Sequence, residues 1–210
     1  MCNLFSNLTA REAMQRMFAV TAANIHLPDD WAGTDEVYPK YRAAVLHLAG
    51  DNDRHLSEMQ WGFLLPKRSR RTGKPIRPRV VTNARDDRIR SSGLWAASLE
   101  RRRCLVPATA YCEFSSRSRT GRHWYAVAPG ETFAFAGIWT RLEEVIGGEQ
   151  QSLHTFAIAT TRPNAMAAHV HNRMPVILDP KDYGQWLTGT ADAAANLLEP
   201  APDGWLVELP

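Results

Sequence analysis

The chain has 210 residues, 44% apolar and 22% charged, a make-up ordinary for a soluble globular protein and a length for one domain with a substantial core. No apolar run approaches the roughly 18 residues that cross a bilayer, and Met1-Cys2-Asn3-Leu4-Phe5-Ser6 lacks the basic-then-apolar pattern of a secretory signal, so no membrane partner and a cytoplasmic location are expected. The net charge is only +3, yet residues 67–103 carry thirteen Lys/Arg against three acids, Asp86, Asp87 and Glu100, which leaves the remainder net acidic. Such a block points to a polyanionic partner, the bland alternative being a solvated basic loop.

The chain opens on Met1-Cys2. Trimming of the methionine leaves Cys2 with an α-amine and a thiol on adjacent carbons, a 1,2-aminothiol that condenses with aldehydes to a thiazolidine. An amine of pKa about 7.7–8.0 and a thiol of about 8.5 are both partly nucleophilic near neutral pH, and nucleophiles at a chain's N-terminus are a known catalytic arrangement. A second-position cysteine also occurs with no role. The three cysteines, Cys2, Cys104 and Cys112, have neither CxxC spacing nor a disulfide framework, as expected in a reducing compartment.

Thr9-Ala10-Arg11-Glu12 reads as a capping box that opens an amphipathic helix to about Val20. Residues 24–41, with Pro28, Gly33 and Pro39, read as loop, 44–48 as a strand, Gly50-Asp51-Asn52-Asp53 as a turn and 59–65 as a second strand ended by Pro66. Residues 67–78 read as a basic loop without apolar periodicity, and 79–82 as a strand delivering Asn83-Ala84-Arg85. Ser92 is placed to cap a helix through Leu99. The second half is β-rich, with candidate strands at 104–106, 110–114, 124–128, 133–139 and 155–160 and a hairpin tip at Gly147-Gly148. A short Ala-rich turn or helix follows Pro163, then a strand at 174–178, a helix from Asp179 or Pro180 through Leu187, a short helix at 191–198 and a last strand at 205–209. The pattern predicts one α+β domain over 1–210, with a curved, largely antiparallel sheet and peripheral helices.

Several residues could carry chemistry. Trp61 beside Gly62 is either core or a face on which a nucleobase stacks. Asn83 and Arg85, at a strand end after the basic block, could hold a phosphate or a sugar oxygen, or be a turn former and a surface cation. Glu113 is one carboxylate in an apolar, aromatic run, so burial would raise its pKa and fit it to shuttle a proton; the alternative is a strand-edge carboxylate facing water. His169 and His171 share a face of an extended segment, but no CxxC, HExxH or acidic cluster completes a metal site, so no metal is expected. A His171 acting as acid or base beside a phosphate-binding Arg173 is the simpler reading.

Met1-Cys2, Trp61-Gly62-Phe63-Leu64-Leu65-Pro66, Asn83-Ala84-Arg85, Arg102-Arg103-Cys104-Leu105-Val106-Pro107, the segment ending in Glu113, Phe135-Ala136-Gly137-Ile138-Trp139 and His171-Asn172-Arg173-Met174-Pro175 occur in that order. Together they resemble the SRAP family, the SOS-response-associated peptidases or abasic-site-processing proteins, over Cys2 to about Leu178. The C-terminal 179–210 lies beyond the motifs. The resemblance implies a β-barrel-like core, no cofactor, binding to single-stranded DNA and covalent capture of abasic sites in the DNA-damage response, with nucleoid association when bound. By position Cys2 resembles the nucleophile, Glu113 the catalytic carboxylate, His171 the histidine that assists sugar opening or crosslink reversal, Asn83 and Arg85 the pocket lining, and Trp61 and Arg173 DNA contacts. Arg68, Arg70 and Arg71 are the expected phosphate contacts of the basic block, and a monomer is expected. The family's usual Gly-Arg after the cysteine is Asn3-Leu4 here, and Cys112 and Phe114 flank Glu113 where an aromatic and a Trp are usual. The rival readings are a thiol peptidase limited to removing Met1, with Cys2 and His171 as a pair, and a non-catalytic single-strand-binding module.

Overall fold

A computed structural model of the chain describes residues 2–50, 52–115, 121–146 and 149–210, with backbone alone for 144–146 and 149–151. The first half contains β1 (Leu4–Asn7), α1 (Arg11–Phe18), β2 (Ile25–His26), β3 (Thr34–Val37), β4 (Arg42–Leu48), β5 (Arg54–Trp61), β6 (Phe63–Arg68), β7 (Pro75–Val81), β8 (Asn83–Arg85), α2 (Asp86–Ile89) and α3 (Ala96–Arg101). The second contains β9 (Arg103–Ala108), β10 (Ala110–Phe114), β11 (Arg122–Ala126), β12 (Phe133–Ile146), β13 (Glu149–Thr161), α4 (Ala165–Ala168), β14 (Met174–Pro175), β15 (Ile177–Leu178), α5 (Tyr183–Thr188), α6 (Ala191–Ala195) and β16 (Val207–Leu209).

The largest sheet runs β14-β13-β12-β9-β4-β5-β2, and an additional parallel pairing of β13 with β5 closes β13-β12-β9-β4-β5 into a five-stranded barrel. A second, antiparallel sheet runs β16-β11-β10-β1-β3. The barrel strands bury both faces. On β4, Ala43 and Val45 join one apolar cluster with Phe5, Trp61 and Phe135, while Ala44 and Leu46 join another with Phe18 of α1 and Trp186 of α5. This two-residue alternation is the strand period written in side chains. The result is the α+β architecture with a barrel-like core and peripheral helices.

Local differences have local causes. The proposed capping box does not form: α1 is capped by Ala10 without a side-chain bond, and the Thr9 hydroxyl lies 2.5 Å from that of Thr132. Residues 24–41 are not all loop, since β2 and β3 pair with β5 and β1. The single strand expected at 59–65 is two. Gly62 divides them with φ of +117°, a conformation open to glycine, and a Cβ there would stand 2.2 Å from Val80 Cγ1. The basic stretch 67–78 is largely a ribbon: β6 and β7 pair from Phe63↔Val81 to Arg68↔Pro75. Ser92 caps a turn through Leu94 N–H, and α3 begins only at Ala96. Residues 174–178 split into β14 and β15 around Val176, whose N–H bonds Ala159. The expected hairpin tip Gly147-Gly148, and Asp51 of the expected turn, lie outside the described residues.

Candidate active site

The site is assembled where the two sheets meet. β10 alternates across its pleat, so Tyr111 and Glu113 share one face and Cys112 takes the other. β1 pairs with it, Leu4 opposite Cys112 and Phe5 opposite Tyr111, which carries Cys2 to the Glu113 end of the strand. From the barrel side, β8 runs parallel to β13 with Asn83 opposite Ile158, and the Asn83 amide donates to the Cys2 carbonyl at 2.9 Å and to the Thr82 hydroxyl at 3.0 Å. Cys2, Glu113 and Asn83 are thus brought together from three strands. Cys2 and Glu113 are 0% and 1% exposed.

Burial governs the electrostatics. It raises the Glu113 carboxyl from 4.5 to about 7, leaving a group that both gives and takes protons near neutrality. Burial, and then the charge of Glu113, hold the Cys2 thiol well above its usual value. The Cys2 Sγ donates to the Leu4 carbonyl at 3.6 Å. Burial lowers the pKa of His171, which favours the neutral ring, and its Nδ1 accepts the Arg173 N–H at 3.0 Å.

The arginines are already engaged. Arg173 is 9% exposed, ion-paired to Asp86 at 2.5 Å, and donates to the Thr160 carbonyl. It does not present a free cation at the surface, as expected of a phosphate contact, because Asp86 compensates its buried charge. Arg85 is half-exposed and forms a two-pronged bond to Asp87, at 3.0 and 2.6 Å. The β8–β13 and β13–β14 pairings set Arg85 opposite Thr160 and Thr160 opposite Pro175, so Arg85 and Arg173 flank the same barrel strand. Trp61 offers no open face for a base. It is fully buried, its ring lies edge-on to Phe5 at 5.1 Å and its N–H donates to the Thr82 carbonyl at 3.1 Å, so it braces the residue before Asn83. Arg68, on β6, and Arg70 and Arg71, beyond it at the exposed ribbon tip, stand on the element that leads through β7 into Asn83.

Sequence reasoning passed over Tyr111 and Tyr125, which lie opposite each other on β10 and β11 with rings 5.3 Å apart. The signal for Tyr111 was available, two residues before Glu113 on one strand. Phe114, on the outer face, is 38% exposed, with the Arg122 guanidinium 5.9 Å from its ring centre.

Comparison with known proteins agrees with this frame. The chain is 26% identical over 183 residues to the abasic site processing protein YoqW of Bacillus subtilis, across 82% of this chain and 78% of that protein. It is 27% identical over 168 residues to YoaM of the same organism, also named an abasic site processing protein, across 76% and 70%. Among solved structures, a Bordetella bronchiseptica protein superposes with a TM-score of 0.76 at 22% identity, covering 99% of this chain and 98% of the other, and a Bacteroides thetaiotaomicron protein with 0.71 at 23%, covering 97% and 90%; both carry the fold alone. The family model described as SOS response associated peptidase (SRAP) matches residues 1–209, and the chain belongs to that family.

Proposed function

We propose that this protein processes abasic sites in single-stranded DNA by capturing their aldehyde on Cys2. The observation that carries the reading is the trio itself: a second-position cysteine held through its carbonyl by Asn83 and acted on by the charge of a buried carboxyl that titrates at about 7. The names of the relatives point the same way. While Met1 is attached the Cys2 nitrogen is an amide and not a nucleophile, so loss of Met1 precedes the chemistry. The freed amine adds to the ring-opened aldehyde, and the hydroxyl of the resulting carbinolamine leaves as water with a proton supplied by Glu113. His171, neutral, assists opening of the sugar. The thiol then adds to the iminium carbon. Its C=N π pair moves to nitrogen, and the sulfur proton passes to the Glu113 carboxylate. The product is a thiazolidine, with one water lost overall and no oxidant required. Holding amine, thiol and carboxyl on packed strands supplies the orientation that makes such steps effectively unimolecular. The exposed cations of the β6–β7 ribbon attract the DNA backbone.

The test is the intact mass of the protein after mixing with an abasic oligonucleotide. The expected species is protein lacking Met1 plus oligonucleotide less one water; an adduct on protein that retains Met1 contradicts the aminothiol route.

A further inference from the structure

Ring closure by Cys2 and Glu113 leaves the nearby Tyr111 hydroxyl unused. The Tyr111 hydroxyl has no hydrogen-bond partner among the described residues, although the side chain is 0% exposed. A buried hydroxyl without a partner is costly, so its retention calls for a reason. Tyr111 belongs to the same apolar cluster as Cys2 and stands on the same strand face as Glu113. Its ring is fixed by Tyr125 at 5.3 Å and by Phe135, edge-on at 6.0 Å. We propose that the Tyr111 hydroxyl donates to the Cys2 sulfur as it gives up its proton, and so is a catalytic residue for ring closure, separate from the amine's attack on the aldehyde. This rests on the aminothiol chemistry of Cys2 proposed for the protein.

Two further observations support it. The contact that the Cys2 Sγ makes at rest, donation to the Leu4 carbonyl, is open to a thiol and closed to a thiolate, so an ionising sulfur needs a donor from elsewhere. Tyr111 stays protonated: burial first, then Cys2 and Glu113, raise its pKa, which keeps the O–H available. The titratable groups that act on Cys2 are Glu113 and Cys112 on β10 and the N-terminal amine, and those that act on Tyr111 are Cys2, Glu113 and Tyr125 on β11. Tyr125 also has a buried hydroxyl without a partner among the described residues, but burial and then Glu208, Glu113 and Cys112 raise its pKa, with no contribution from Cys2. It is therefore a matched control.

The experiment follows two products on abasic single-stranded DNA across pH: the Schiff base trapped by borohydride, and the heat-stable adduct formed without reductant. In Tyr111→Phe the Schiff base is expected at the wild-type rate. Heat-stable adduct is expected about 10–100-fold more slowly, the size of a hydrogen bond to a charged group, with its pH profile moved upward. Thermal stability should be unchanged or raised, since the hydroxyl removed has no partner among the described residues, and Tyr125→Phe should close the ring normally. Wild-type ring-closure rate and profile in Tyr111→Phe overturn the proposal. Equal slowing of both products, or of both Phe variants, also overturns it, by assigning the effect to packing. No heat-stable adduct from wild type overturns the underlying aminothiol reading instead.

Discussion

Glu113 is the residue on whose environment the proposed chemistry depends. A carboxyl in water is ionised at pH 7; this one holds its proton to higher pH, pushed up to about 7, because burial disfavours its charge. Glu113→Gln keeps the shape and removes the proton carrier, so adduct formation should slow by about 10²–10⁴-fold while affinity for abasic DNA stays unchanged, as read by trapping kinetics beside a binding titration. The same shift has a consequence for stability. Between 4.5, the usual value, and about 7, the folded protein binds a proton that the unfolded chain has released, so this contribution is full below that window and is lost as pH rises through it. At pH 8 the loss is at most roughly 3 kcal/mol, and Glu113→Gln should remove it, flattening the fall in melting temperature from pH 5 to 8. An equally steep fall in the variant would mean that the carboxyl titrates normally.

Among the elements, the β6–β7 ribbon carries the prediction about DNA. Arg68, Arg70 and Arg71 occupy its exposed end, and no acid lies between residues 67 and 85 to neutralise them. Neutralising all three should lower the slope of log affinity against log salt by about 2, at roughly 0.7 per phosphate contact on a single strand; an unchanged slope would show that the ribbon faces away from DNA. The ribbon also marks where sequence reading stops. Its outer part, from Pro66 through Arg79, is exposed on both faces, so no alternation announces it, whereas β10, buried through Glu113 with Phe114 turned outward, matches the expected 110–114 at both ends. Gly62 was legible as a glycine but not as a strand break, because its positive φ answers to Val80, which is distant in sequence. Cys2, Glu113 and Asn83 were legible as residue types in an ordered set of motifs. The roles of Trp61 and Arg173 were not, since they depend on Thr82 and Asp86, partners that only the folded chain brings to them.

At the scale of the whole molecule, the two sheets meet along the surface that holds Cys2, and the helices secure the opposite cluster. Arg103, within a motif that resembles the family, serves the helix side of the barrel. It is 7% exposed, and its guanidinium donates to the carbonyls of Leu99, Glu100, Trp186, Leu187 and Gly189, fastening α5 to the barrel. The proposed chemistry belongs to the seam that holds Cys2, near the N-terminus. The most direct test of that claim is a denaturing gel of labelled abasic single-stranded DNA with wild type, Cys2→Ser and Cys2→Ala, each with and without borohydride. Wild type should give an adduct that survives heat without reductant. Both variants keep the amine and lose the sulfur, so they should give only adducts that borohydride must trap; heat-stable, reductant-independent adducts from Cys2→Ala would contradict ring closure by the Cys2 thiol.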